Sequence, residues 1–353
     1  MPTSHTLNLL RQAVDQRASD IFVIAGKELS IKLNGEILPI SQEKTTPDDS
    51  AAIVEGLYSL AKRSRTIFDS TGDDDFSVSI PHMARFRVNT YKQRGSIAAV
   101  IRVIQFGIPN FREMNIPDEI MRLASLTHGL VLVTGAAGSG KSTTLACVVD
   151  AINKTRNAHI VTIEDPIEFL HRNEKGIISQ RELSMDTRSY PAALRASLRQ
   201  APDVILLGEM RDTDTIQTAM TAAETGHLVL STLHTTGAVN TVDRIIDVFP
   251  PSQQQQVRVQ LAQVLHSVVS QQLVPSVDGL VIPAFEIMHV NTAIRTMIRE
   301  SRIHQIENAI QTGGKEGMIS MDDFLFGLFR SNKISKEMVQ RFASNWDVLS
   351  KKL

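Results

Sequence analysis

At 353 residues the chain is too long for one ordinary hydrophobic core, so two domains are expected. Lysine plus arginine (37) nearly balance aspartate plus glutamate (38); the net charge of −1 excludes a strongly basic nucleic-acid binder. The one cysteine, Cys147, excludes an internal disulfide and a four-cysteine zinc site and points to a reducing compartment.

No run approaches the roughly 18 consecutive apolar residues of a membrane helix, and Met1 to Asn8 lacks the basic-then-apolar pattern of a signal peptide. A cytosolic protein is expected, touching a membrane only through a partner. Residues 1–104 read as a small α+β domain. Leu7, Leu10, Val14 and Ala18 mark a first helix; Asp20 to Ile24 and Leu29 to Leu33 read as strands, the second closed by an Asn34-Gly35 turn. Ser50 to Lys62 reads as a helix. Arg85-Phe86-Arg87-Val88-Asn89-Thr90-Tyr91 alternates polar with apolar residues, as a half-buried strand does, and Ile97 to Ile104 follows as another. Residues 105–117, with Gly107, Pro109 and Pro117, read as a linker. From 118 to 353 strands alternate with helices, the signature of a parallel sheet wrapped by helices, with a helical part from about 283 onward. Met321 to Phe329 and Lys336 to Phe342 are two of those helices.

The second part carries the chemistry. Gly135-Ala136-Ala137-Gly138-Ser139-Gly140-Lys141-Ser142 fits the G-x-x-x-x-G-K-[ST] phosphate loop. It follows an apolar strand-like run (Gly129 to Thr134) and precedes a helical run (Thr143 to Ile152) carrying Cys147, read as a small core residue. Glycines turn backbone N–H groups inward and the helix N-terminus adds partial positive charge. Lys141 would reach the outer phosphates of ATP and the Ser142 hydroxyl would hold Mg2+, with Thr143 completing the loop. His159-Ile160-Val161-Thr162-Ile163-Glu164-Asp165-Pro166 is an apolar strand ending in acids, which places Glu164 to polarise a water. An acidic strand cap is the plainer alternative. Asp203-Val204-Ile205-Leu206-Leu207-Gly208-Glu209-Met210-Arg211-Asp212 repeats the pattern, with Glu209 suited to the Mg2+ shell or merely to pairing with Arg211. His234 ends the next apolar run, where it could sense the terminal phosphate; His227 begins that run, where a structural role is equally open. Three apolar strands ending in acid, acid and histidine after a phosphate loop argue for hydrolysis of ATP over passive binding. An arginine from elsewhere often stabilises the charge that develops on the phosphoryl group, and Arg85, Arg87, Arg94 and Arg102 of the first domain are candidates.

These segments resemble the secretion and pilus ATPases, and within them the type IV pilus retraction (PilT-like) ATPases. The likeness is carried by Gly135 to Thr144, Thr162 to Phe169, Asp203 to Asp212, Ala223 to His234, Asn291-Thr292-Ala293-Ile294-Arg295-Thr296-Met297-Ile298-Arg299-Glu300, Ser19-Asp20-Ile21 and Arg85 to Asn89. It implies a PAS-like first domain, a RecA-like ATPase core and a homohexameric ring, with nucleotide between the domains. By resemblance Glu164 is the catalytic base, Glu209 the second acidic residue, His227 and His234 the paired histidines, and Arg87, Arg94 and Arg102 the chosen arginine fingers. It further implies an inner-membrane pilus platform protein as partner, a paralogous motor beside it, and a place at the inner face of the cytoplasmic membrane. The loop reads Gly-Ala-Ala-Gly where many relatives have Gly-Pro-Thr-Gly, and Thr296-Met297 stands where Asn-Leu is common. A pilus assembly or type II secretion ATPase and a PilU-like accessory paralogue are the near alternatives. A nucleic-acid translocase is disfavoured by the neutral charge, and a non-hydrolysing scaffold by the presence of both Glu164 and Glu209.

Overall fold

The computed structural model describes residues 2–33, 35–81, 83–104 and 107–352. They form two compact units: one runs through Gly107 and takes in Glu168–His171; the other holds Ile108–Ile167 and everything from Arg172 on. Asn34, Gln105 and Phe106 lie outside the described residues, so the Asn34 half of the expected turn and the start of the expected linker are not characterised.

The first unit is an antiparallel sheet of β1 (Asp20–Val23), β2 (Glu28–Leu33), β3 (Glu36–Lys44), β4 (Asp73–Ile80), β5 (Ala84–Gln93) and β6 (Ser96–Ile104), in the order β3-β2-β1-β6-β5-β4. Alternation decides which face is covered: Phe86, Val88 and Thr90 of β5 are buried, while Arg85, Arg87 and Asn89 between them are half-buried. The covered face packs on the helices Pro2–Asp15 and Pro47–Ala61 through Leu10, Ile53, Val54 and Leu57. Thr46 and Asp49 close a reciprocal capping box at the second helix, and Pro47 supplies a preset φ at its start. Strands β3 and β4 and the short helix Thr66–Thr71 were not expected from the sequence. β3 carries Pro39 and is largely exposed, and β4 opens with three aspartates, so neither shows apolar alternation along its length.

The second unit is a seven-stranded sheet. Its strands are β7 (Gly129–Thr134), β8 (His159–Glu164), β9 (Ile177–Glu182), β10 (Val204–Leu207), β11 (Leu228–Leu233), β12 (Leu265–Pro275) and β13 (Val281–His289), ordered β13-β12-β7-β11-β10-β8-β9. All neighbours are parallel except the β12–β13 pair at one edge. Helices cover both faces, which explains the unbroken apolar runs. Leu130 and Leu132 of β7 face one core with the helices Thr213–Glu224 and Ala238–Asp247. Val131 and Val133 face the other with the helix Lys141–Thr155. Ile116, from the segment read as linker, is buried in that second core beside Ile120. The helical part does not begin at 283: β13 runs to His289, and helices resume with Thr292–Arg299, followed by Ile306–Thr312, Met321–Arg330, Lys336–Phe342 and Trp346–Leu349. A β12–β13 hairpin built of apolar residues without a helical period is the reason for the difference. Cys147 is buried, its thiol donating to the Pro109 carbonyl at 3.3 Å, and burial pushes that thiol up to about 11, which leaves it inert near neutrality.

Candidate active site

Because β7, β8, β10 and β11 run parallel, their C-terminal ends share one edge of the sheet, where open α/β folds place ligands. The loop after β7 turns on Gly135 (φ 142°), Gly138 (φ 76°) and Gly140 (φ 88°). Gly135 is compulsory on space as well as φ: a Cβ there would lie 2.2 Å from the Gln271 carbonyl oxygen. At Gly140 it would lie 2.8 Å from Gln271 Nε2. Ala136, Ala137 and Gly138 form the exposed crest. The helix Lys141–Thr155 begins with Gly140 as N-cap and no capping side chain, so its first N–H groups face outward from the loop. Lys141 is 7% exposed and its Nζ donates to the carbonyls of Gly135 and Ala136, both at 2.9 Å. Ser139 Oγ is buried with no hydrogen-bond partner among the described residues. Ser142 is exposed on the first helical turn and Thr143 is half-buried. Below them Thr144 Oγ1 donates to Gln271 Oε1 at 2.8 Å, so β12 forms the floor of the loop. A phosphate chain fits this cradle, with its glycine-only turns, inward ammonium and uncommitted helix start. Mg2+ fits the hydroxyl and carboxylate oxygens of Ser142 and Glu209.

Two acids stand at the ends of neighbouring strands. Glu164 ends β8 and its Oε1 accepts from Thr162 Oγ1 at 2.7 Å and from Gln180 Nε2 of β9 at 3.2 Å. Two donors on one oxygen fix the orientation of the carboxylate. Glu209 follows β10 and is 12% exposed. It sits between Arg211 at 2.6 Å and His234 Nε2 at 3.2 Å. The hydrogen bond to Glu209 is the main cause that holds the Arg211 guanidinium above its ordinary range. Thr232 Oγ1 donates to Gly208 O at 2.6 Å, tying β11 to the turn that carries Glu209.

Glu164, Glu209, His234 and the phosphate loop thus share one sheet edge. His227 does not. It precedes Leu228, at the opposite end of β11, about 23 Å along the strand from His234 at ~3.3 Å per residue. Its Nδ1 lies 2.9 Å from the Ala222 carbonyl, and its own carbonyl accepts from Gly129 N–H. The arginine candidates lie in the first unit. Arg87 and Arg102 face each other across β5 and β6, a like-charge pair that Asp20 relieves at 3.2 Å from Arg102. Arg94 occupies the β5–β6 turn at φ 46° and is exposed. Sequence reading missed Gln271, Thr144, Thr162 and Gln180. The signal for Gln271 was a polar residue inside the apolar run Leu265 to Val274, 3% exposed in the fold.

A strand, a glycine loop whose lysine is turned inward, and acids at the ends of neighbouring parallel strands define a P-loop nucleoside triphosphatase. The chain matches the family described as type II/IV secretion system protein over residues 3–319 and belongs to that family. It is 43% identical over 345 residues to the twitching motility protein of Neisseria gonorrhoeae, spanning 98% of this chain and 92% of that one. To the type IV pilus retraction ATPase PilT of Pseudomonas aeruginosa it is 43% identical over 329 residues, 93% of this chain and 95% of PilT. Among solved structures, the pilus retraction motor PilT with bound ADP superposes with a TM-score of 0.91 at 40% identity over 98% of both chains.

Proposed function

We propose that this chain is a cytoplasmic ATP-hydrolysing motor that powers retraction of a type IV pilus. The phosphate loop with Glu164 and Glu209 on one sheet edge, in a chain that matches a retraction motor along nearly its whole length, carries this reading. Lys141 binds the outer phosphates, helped by the loop N–H groups from Gly135 to Thr143. Glu164 takes the proton of the attacking water as general base. Ser142 and Glu209 would hold Mg2+, which when bound neutralises charge on the phosphates. His234, paired with Glu209, senses the terminal phosphate, while Arg211 and His234 keep Glu209 oriented. Arg87, Arg94 and Arg102 remain the finger candidates on the resemblance alone. His227 stays a site candidate on the resemblance alone; it precedes β11, at the end of that strand away from the loop. A homohexamer, an inner-membrane platform protein and a paralogous motor are the partners this reading calls for. The six-stranded antiparallel sheet with helices on one face supports the PAS-like reading of the first unit. No helix among the described residues is long and apolar enough to cross a membrane.

Deleting the gene in its source organism and counting surface pili by electron microscopy tests the direction of the motor. Excess pili with lost twitching, restored by the wild-type gene but not by Glu164→Gln, is the expected result. Bald cells would move the protein to the assembly side, and unchanged pili would make it an accessory paralogue. In purified protein, Glu164→Gln should retain ATP binding and lose turnover by roughly 10²–10⁴-fold. Wild-type turnover in that variant would remove Glu164 from the base position.

A further inference from the structure

Glu286 is a charged residue where the pattern of β13 calls for an apolar one. Side chains alternate along a strand, so Ala284, Glu286 and Met288 share one face. Ala284 is buried with Met321 and Leu325 in the small core of the C-terminal helices, and Met288 is buried with Ala238 and Ile245 in the main core of the unit. Glu286 stands between the two. A carboxylate set there costs stability unless donors meet it, and two helix starts supply them. The Ala238 N–H, first in the helix Ala238–Asp247, donates to Glu286 Oε1 at 2.7 Å. The Met321 N–H, first in the helix Met321–Arg330, is the second backbone donor to the carboxylate. Burial is the main cause that raises the carboxyl above its ordinary range, and these two N–H groups oppose it; the charges of Glu307 and Asp322 add to the rise.

His234 lies four residues before Ala238, and every residue between them is held. Thr235 Oγ1 and Thr241 Oγ1 are 2.7 Å apart, Asn240 Nδ2 donates to Thr236 O at 2.8 Å, and Gly237 N–H donates to Ser270 Oγ at 2.9 Å. Ser270 pairs with Glu286 across β12 and β13, and with Thr134, the residue before the phosphate loop, across β12 and β7. At the other helix, Ile319 is locked to Ile287, the neighbour of Glu286, by two backbone bonds of 2.9 and 3.1 Å. A short connection bonded at each residue passes a displacement on rather than absorbing it.

We propose that Glu286 couples the nucleotide site to the C-terminal helices. Its one carboxylate holds both the start of the helix that follows His234 and the start of the helix Met321–Arg330, so a shift of His234 on the terminal phosphate is passed to the C-terminal part of the unit. This rests on the reading of His234 as the phosphate sensor. Coupling between two sites is reciprocal, so a partner that moves the C-terminal helices alters nucleotide binding through the same carboxylate.

Hydrogen–deuterium exchange of the full chain, with and without Mg·ADP·aluminium fluoride, reads the coupling directly. In the wild type, exchange should slow at residues 235–238 and at residues 321–324 together. Glu286→Gln keeps the shape and one acceptor oxygen but turns an NH2 group toward the second backbone donor. With the complex still bound by calorimetry, its residues 235–238 should respond while the response at 321–324 is lost. A response at 321–324 equal to that of the wild type overturns the proposal, whatever the change in Tm, because a merely structural carboxylate would leave the two segments linked. A wild type in which only residues 235–238 respond overturns it as well. His234→Ala removes the input with Glu286 in place, and it decides the question if Glu286→Gln does not fold. Its response at 321–324 should vanish although the phosphate loop is occupied, and persistence there means a route that bypasses Glu286, which overturns the proposal. Wild-type protein that does not hydrolyse ATP sinks the functional reading itself. An active wild type whose two segments respond independently sinks only the role of Glu286.

Discussion

Gly135 and Gln271 constrain each other across β7 and β12, and that pair shows what individual residues contribute. Alanine at 135 would drive its Cβ into a backbone carbonyl that cannot rotate away. Gly135→Ala should abolish ADP binding measured by calorimetry. Gly138→Ala, whose Cβ meets nothing within 4 Å, should keep the fold and lose only the stability that a non-glycine residue forfeits at φ 76°, about 1–2 kcal/mol. Gln271→Ala leaves the buried Thr144 hydroxyl without its acceptor and should destabilise the protein by about 1–3 kcal/mol in urea unfolding, with weakened ADP affinity. The phosphate loop and both acids were legible in the sequence because each sits at the end of an apolar run, a purely local sign. Gln271 was not, since its partner Thr144 lies 127 residues away and only the sheet order brings them together. The distance of His227 from His234 was illegible for the converse reason: the two are near in the chain, but a strand separates residues along its length.

Among the elements, the helix Thr292–Arg299 follows its spacing closely. Ile294 and Ile298 are buried, Arg295 and Arg299 are exposed, and Asn291 caps the start by accepting from Ile294 N–H at 3.0 Å. Asn291 also donates to Glu316 at 2.9 Å. Asn291→Ala should therefore cost about 1 kcal/mol of stability in thermal melts, and Asn291→Ser should recover much of it. Elements with a clean period and a cap were readable in advance. β3, β4 and β13 were not, because an edge strand with Pro39, a strand opening in three acids and an apolar hairpin lack a discriminating period.

At the scale of the whole molecule, folding stability should depend on pH through histidines far from the phosphate loop. His266 and His289 lie at the other edge of the second sheet, joined by the Ser267 hydroxyl at 2.8 Å from each Nδ1. Burial is the main cause that lowers both below the ordinary histidine value. A depressed folded-state value means the unfolded chain binds protons more readily. The stability from keeping the pair neutral is present above the unfolded value near 6.5 and is lost as pH falls below it. Tm should drop between pH 7.5 and 5.5, and a His266→Asn, His289→Gln double variant should show a shallower slope. An equal slope in the variant would assign the effect to other groups.

The order of strands in the second sheet has one more consequence, in the time domain of synthesis. β7, which launches the phosphate loop, is flanked by β11 and β12, both made much later in the chain. A ribosome that has just released the loop has produced a phosphate motif with neither neighbour nor floor. Until Gln271 emerges, no arrangement of the nascent segment can reproduce the cradle, and capture of nucleotide therefore certifies that translation has reached β12, the last of the parallel strands.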